Sequence, residues 1–211
     1  ANQAVASARY GNRVVFVAKT GDDLFGEQVR NSMKEDGIVT DYVFVDKEHP
    51  SGVALITINQ EAENCIVVAG GANMYLSKED IDKAREEVVG ADVVLMQLEC
   101  PVPTVAYAAR MAAKAGVPVI LNPAPAPSEP LSTELLHDLY LITPNRSEAS
   151  RISGIEITDM ESAQRAAKAI HDMGPRNVII TLGGDGSLVY DGKMFMRVEA
   201  LKVEAVDTTA A

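Results

Sequence analysis

The sequence predicts an α/β protein built on a covered, mostly parallel sheet, with a small antiparallel flap projecting from it. Three observations carry that reading. From residue 71 onward, helical and strand patterns alternate, which is the rhythm of βαβ units. Runs such as LYLITPN (139–145) and NVIITLGG (177–184) are almost continuously apolar, as suits strands buried on both faces. By contrast DYVFVD (41–46), SGVALITIN (51–59) and ENCIVVAG (63–70) follow one another with only short polar links. Those three are expected to pair antiparallel as a flap over 41–70, with the body formed by 1–40 and 71–211.

Taken in order, ANQAVASARYG opens as a helix with Ala4, Val5 and Ala8 on one face. SKEDIDKAREEVVG (77–90) starts with Ser77 and has Asp80 three residues on, a capping-box-like helix start, and Gly90 stops it. After the strand ADVVLMQLE (91–99), Pro101 and Pro103 sit where a first helical turn tolerates a missing N–H, and that helix runs to Gly116. VPVILNP (117–123) is the next strand, and MESAQRAAKAIHDMG (160–174) holds a helix between the two apolar strands at 139 and 177. In SLVYDGKMFMRVEA (187–200), Asp191-Gly192 between β-rich runs signals a hairpin.

Composition limits what the protein does. With 211 residues, 47% of them hydrophobic, it can bury one good core and a small subdomain. The net charge of −11 argues against a nucleic-acid partner, which would draw on clustered Lys and Arg. Cys65 and Cys100 form neither a disulfide framework nor a zinc motif, and His49, His137 and His171 are too scattered for a triad or metal site. No apolar stretch reaches the ~20 residues of a membrane span and no signal peptide is visible, so a cytoplasmic protein is expected. Both ends read as cut. The first residue is not methionine, and VEAVDTTAA (203–211) stops on a strand-like run without a terminal helix or polar tail.

In an open α/β sheet, ligands bind beyond the carboxyl ends of the strands, and the polar residues gather there. Glu99 follows one strand, Asn122 the next, Asn145 with Glu148 the third, and TLGGDG (181–186) the fourth. Each has an ordinary structural reading too: Glu99 as a cap of the following helix, Asn122 as a turn residue, Asn145 as the cap of the helix containing Glu148, and the glycines as a turn. The glycines permit close backbone approach, but the lysine of a P-loop and the GxGxxG of a dinucleotide site are both missing. A strand ending in Asp and Thr before two small residues, as in DTTAA, suits a turn into a helix N-terminus that offers free N–H groups to an anion.

ANQAVA (1–6), TGDDLFGE (20–27), SGVALI (51–56), LMQLE (95–99), LNPAPA (121–126), ITPN (142–145), TLGGDG (181–186) and AVDTTAA (205–211) together, in this order, resemble the ribokinase-like family of carbohydrate kinases over essentially the whole chain. The resemblance implies a three-layer αβα sandwich with a β lid, and transfer of the γ-phosphoryl of ATP to the 5-hydroxyl of ribose. It implies Asn2 and Glu99 as partners of the sugar hydroxyls, and Asn145 with Thr181, Leu182, Gly183, Gly184, Asp185 and Gly186 at the nucleotide. Glu148 would order Mg²⁺ through water, and Asp207 with the carbonyl of Thr209 would hold a monovalent cation, usually K⁺. Arg146 stands where these kinases often have Glu. Ala210 and Ala211 would open the anion hole, and the catalytic Asp is expected after Ala211, so residues 1–211 alone are expected to be inactive. A homodimer through the flap is expected at full length. Other acceptors such as deoxyribose, fructose or a nucleoside, and a non-catalytic sugar- or nucleotide-binding sensor, remain as rival readings.

Overall fold

Residues 1–58 and 64–201 are described by the structure, a computed structural model, and they divide after Ala84 into two units. In the first, α1 (Asn2–Arg9) half-buries Ala4, Val5 and Ala8, the face expected from its spacing. β1 (Ala18–Gly21), α2 (Leu24–Glu35) and β2 (Val43–Asp46) form a βαβ unit in which the strands pair in parallel, from Ala18↔Val43 to Gly21↔Asp46. A further parallel bridge joins Val15 to Val39.

This corrects the expected three-strand flap. The run at 41–46 is not an antiparallel partner of the strand that follows it but the second strand of a parallel pair. Its partner comes from the apolar run RVVFVAKT, and the twelve-residue α2 supplies the crossover that a parallel pair needs. The antiparallel element is the pair β3 (Val53–Ile58) and β4 (Asn64–Ala69), in register from Val53↔Ala69 to Ile58↔Asn64.

Asp23 ties the start of that hairpin to the βαβ unit. Its carboxylate caps α2 by accepting from the Gly26 N–H at 2.8 Å, and also accepts from the Ser51 N–H and hydroxyl, both at 2.7 Å. The N–H of Ser51, then that of Gly26, then the Ser51 hydroxyl hold the carboxyl below its ordinary range. Gly21 closes the knot by donating its N–H to Ser51 Oγ at 2.9 Å, and a Cβ on Gly21 would collide with the Ser51 backbone.

Ser77 and Asp80 form the anticipated capping box at α3 (Lys78–Lys83), but the helix breaks at Ala84 and resumes as α4 (Arg85–Val89). Asp80 has a second task. It is buried and accepts an ion pair from Lys19 of β1 at 2.6 Å, while Lys19 also donates to the Tyr75 carbonyl at 2.9 Å.

The second unit is a six-stranded sheet in the order β10-β9-β8-β7-β6-β5. β5 (Val94–Met96), β6 (Val119–Leu121), β7 (Leu141–Ile142) and β8 (Asn177–Thr181) are parallel. β9 (Ser187–Tyr190) and β10 (Phe195–Val198) add an antiparallel edge, joined around Asp191-Gly192 as expected. The loop holds four residues, with Asp191 Oδ1 accepting from the N–H groups of Lys193 and Met194.

Helices α5 (Val102–Lys114), α6 (Thr133–Asp138), α7 (Arg146–Ser153) and α8 (Met160–Asp172) connect the parallel strands. Val119, Leu121, Ile142, Val178 and Ile180 are fully buried, each contributing roughly 1.5–3 kcal/mol of apolar burial. Ala109 and Ala112 on α5 and Ala163, Ala166 and Ala167 on α8 are also fully buried, their small side chains permitting close helix–sheet packing. Among the described residues no helix is long and apolar enough to cross a membrane.

The Lys19–Asp80 pair generates a stability prediction. Asp80→Ala is expected to cost about 3 kcal/mol, because it leaves the half-buried Lys19 ammonium without its counter-charge. Adding Lys19→Met should restore part of that loss, measured by denaturant unfolding at neutral pH. Burial pushes the Asp80 carboxyl up, but Lys19, the Ser77 N–H and Lys83 outweigh it and leave the group below its ordinary range. Its contribution is therefore present at neutral pH and fades as pH falls through the folded value, so the gap between wild type and Asp80→Ala should narrow in acid. Equal instability of the single and double variants would contradict this account.

Candidate functional site

The adjacent parallel strands β7 and β8 end at the same edge of their sheet, and the chain beyond each is held against the other. Thr181 donates its N–H to the Pro144 carbonyl at 3.0 Å, and Asn145 and Thr181 form a parallel bridge. The structure thereby brings together two segments 36 residues apart that the sequence marked separately, ITPN with Glu148 and TLGGDG.

On the β7 side, Asn145 is the N-cap of α7. Its Oδ1 accepts from the Glu148 N–H at 2.9 Å and from the Ser147 hydroxyl at 2.9 Å, and Glu148 Oε2 accepts the Asn145 N–H at 2.8 Å. The capping reading of Asn145 is therefore correct, and it is compatible with ligand binding. The cap uses the acceptor end of the amide, so the Nδ2 end is the part with the chemistry to donate to an anion. Glu148 is buried at 5% exposure, and that burial pushes its carboxyl up, partly offset by the Asn145 N–H.

On the β8 side, Gly183–Asp185 make a 3-10 turn closed by the Leu182 N–H to the Gly186 carbonyl at 2.8 Å and the Gly186 N–H to the Gly183 carbonyl at 2.9 Å. Gly186 has φ +85°, and a Cβ there would strike the backbone of Val198 to Ala200. Arg146 spans the two segments, its guanidinium 2.8 Å from Asp185 Oδ2. Asn145, Arg146, Ser147, Thr181, Leu182 and Gly183 line part of an open groove of about 1020 Å³. The groove offers amide, hydroxyl and guanidinium groups beside a helix N-terminus, donors suited to an anionic ligand, and Glu156 is the acid among its lining residues.

Glu99 lies exposed beyond β5. It does not cap α5, whose N-cap is Pro101 without a side-chain bond. The neighbouring Cys100 thiol is pushed up to about 11, first by burial and then by the Glu99 charge, which leaves it protonated and unreactive at neutral pH. Asn122 does hold a turn: its Nδ2 donates to the Thr143 carbonyl at 2.9 Å, linking the ends of β6 and β7. Asn2 is the exposed first residue of α1, in the other unit. Asp207, Thr209, Ala210 and Ala211 lie outside the described residues.

Two contacts escape sequence reasoning. Asp23 sits in the quoted TGDDLFGE, and an Asp directly before a helical run is a readable N-cap signal, but its grip on Ser51 is a long-range contact. The pairing of Arg146 with Asp185 has no local signature. Among the described residues no group of three or more His, Cys, Asp or Glu side chains could hold a metal ion. Glu148, a single buried carboxylate with one oxygen engaged by its cap, fits a Mg²⁺ held through water and ligand phosphates rather than a direct protein cage.

Comparisons with known proteins show the family of the chain. The model of the pfkB family of carbohydrate kinases matches residues 1–211. A ribokinase of Haemophilus influenzae is 41% identical over 211 residues, all of this chain and 68% of that protein. A deoxyribokinase of Salmonella typhi is 36% identical over all of this chain and 69% of its own length. The structure of Arabidopsis thaliana ribokinase complexed with ribose and ATP superposes with a TM-score of 0.88 at 30% identity, covering 97% of this chain and 67% of that one.

Burial of Glu148 sets a test of the site's electrostatics. A carboxyl whose folded value is raised binds more protons folded than unfolded, so its ionisation lowers stability as pH rises through the window above its ordinary value. Glu148→Gln removes that ionisation and keeps an acceptor for the Asn145 N–H. The variant is expected to melt at or above the wild-type temperature at neutral pH, the difference shrinking as both are taken below pH ~4. A neutral-pH melting temperature well below wild type would contradict the account.

Proposed function

The chain belongs to the pfkB family of carbohydrate kinases, and we propose that its protein transfers the γ-phosphoryl group of ATP to the 5-hydroxyl of D-ribose, giving D-ribose 5-phosphate. The observation that carries this is the joining of Asn145, Glu148 and the Thr181–Gly186 loop at adjacent strand ends, in a chain 41% identical to a ribokinase. In this reading the groove takes ATP. The Asn145 amide meets nucleotide phosphates, and the backbone of 181–186 lies against the nucleotide. Asn2 and Glu99 are the partners of the sugar hydroxyls, a role that suits an acceptor-only carboxylate.

Phosphoryl transfer asks mainly for alignment and for stabilisation of charge on the moving group. Glu148 would help hold Mg²⁺ through water, and the ion would supply charge neutralisation at the phosphates. Asp207 and the Thr209 carbonyl are proposed for K⁺, and Ala210 and Ala211 for the start of the anion hole. The proton of the ribose hydroxyl is expected to pass to an aspartate following Ala211, so residues 1–211 expressed alone should show no ribose-dependent ATP turnover.

The β3–β4 pair is read as the flap that excludes water from the sugar and pairs two subunits into a homodimer. Val53, Leu55, Val67 and Val68 are exposed on it, and an apolar hairpin of this kind is suited to being covered.

The activity is tested by ADP release from the protein at full length against ribose, deoxyribose, fructose and a nucleoside. Deoxyribose belongs in the panel because of the deoxyribokinase at 36% identity. Ribose is expected to give the highest kcat/KM, and a higher value for another acceptor would reassign the substrate. Glu99→Ala should weaken ribose binding by roughly tenfold or more, the worth of a hydrogen bond to a charged group. Calorimetry should find ATP binding nearly unchanged, and equal losses for both ligands would contradict the role of Glu99.

A further inference from the structure

We propose that the Arg146–Asp185 ion pair is a positioning device of the nucleotide groove, in which Arg146 neutralises the carboxylate of the glycine loop and ties that loop to the start of α7. This rests on the reading of the groove as a nucleotide site. It assigns Arg146 a task within that site: it acts through Asp185 rather than by touching phosphate.

The placement is the first argument. Arg146 is the first residue of α7, directly after the Asn145 cap, and Asp185 closes the turn Gly183–Asp185. Their contact at 2.8 Å spans 39 positions of sequence and crosses between the two strand-end segments that make the groove. It runs alongside the Asn145↔Thr181 bridge, so the loop is held at its root by backbone and further out by the ion pair.

Charge is the second argument. Asp185 is the one acid in TLGGDG, and it follows two glycines at which a Cβ would meet nothing within 4 Å. A polyphosphate approaching that open backbone meets a carboxylate. Like charges about 4 Å apart repel by roughly 1–4 kcal/mol in water and near a protein surface respectively. A guanidinium already seated on that carboxylate cancels most of the field and costs the ligand no contact of its own.

The third argument concerns conformation. Three of the four residues 183–186 are glycine, and glycine loses the most backbone freedom when ordered. Beyond its internal turn bonds, the Asp185 side chain gives the loop a tie to a rigid helix. The pair is solvent-exposed, at 41% for Arg146 and 63% for Asp185, so its contribution to global stability is small. Its effect belongs in ligand binding, a readout that a merely structural surface pair would not move.

The test is a double-mutant cycle on the full-length protein, with ATP affinity and ribose affinity read by calorimetry and folding by thermal melting. Arg146→Ala is expected to weaken ATP roughly three- to fivefold, the scale of an exposed pair, without changing ribose affinity or the melting temperature. The same substitution made on top of Asp185→Ala should cost less than about twofold, and the reversed pair Arg146→Asp with Asp185→Arg should recover most of the lost affinity. If Arg146→Ala costs as much without Asp185 as with it, Arg146 contacts phosphate itself and the proposal is wrong. No effect of Arg146→Ala on ATP overturns it as well. A wild-type protein that fails to bind ATP would remove the nucleotide reading and this inference together, whereas normal wild-type binding with no coupling removes the inference alone.

Discussion

The parallel register of β7 and β8 is the constraint on which the candidate site depends. Leu141↔Asn177 and Ile142↔Val178 define it, with the Asn145↔Thr181 bridge in the same register beyond them, and Ile142 and Val178 are fully buried, so a slip by one residue would turn both out of the core. Because the strands run in the same direction, their carboxyl ends must lie side by side. The chain that leaves them, Thr143 to Asn145 on one side and Thr181 onward on the other, therefore meets at one edge. Asn145, Thr181 and Gly183 in the groove come from these two adjacent exits.

The exits differ in a useful way. β7 runs straight into a helix, so its exit carries an N-cap and the unpaired N–H groups of a first turn. β8 runs into a tight turn and returns as an antiparallel strand, so its exit presents loop backbone instead. One exit supplies a helix terminus and the other a close-approach surface, and a polyphosphate can use both. This resolves the apparent mismatch between a chain of net charge −11 and an anionic cosubstrate. Backbone donors and a capped amide act over a few ångströms and Arg146 is seated on the nearby Asp185, while the distant acids are screened within a Debye length of about 8–10 Å.

Sequence reasoning reached this edge because its signals there are local. A polar residue at a strand end, an Asn three positions before a Glu, and a glycine cluster each follow from a few consecutive residues, and all were legible. Asn145 shows that a structural and a ligand reading of one residue need not compete, since the cap occupies only one end of the amide. The misreading of 41–46 has the opposite origin. Three β-rich runs with short links look like a meander, a pattern that pairs the first with its neighbour in sequence. Its partner lies a whole helix upstream, and pairing across a crossover leaves no trace in local pattern. Arg146–Asp185 and Asp23–Ser51 were invisible for the same reason: each is a contact between segments far apart in sequence.

The glycines of TLGGDG show how geometry can separate what composition merges. Gly186 is required twice over, by a positive φ and by backbone packed where a side chain would go. Gly183 is favoured by its φ of +61° alone, with free space around it. Gly184 has neither reason, since its backbone is ordinary and a Cβ would meet nothing within 4 Å. The fold by itself would accept alanine there. Of the three, Gly184 is thus the one that the turn itself does not require.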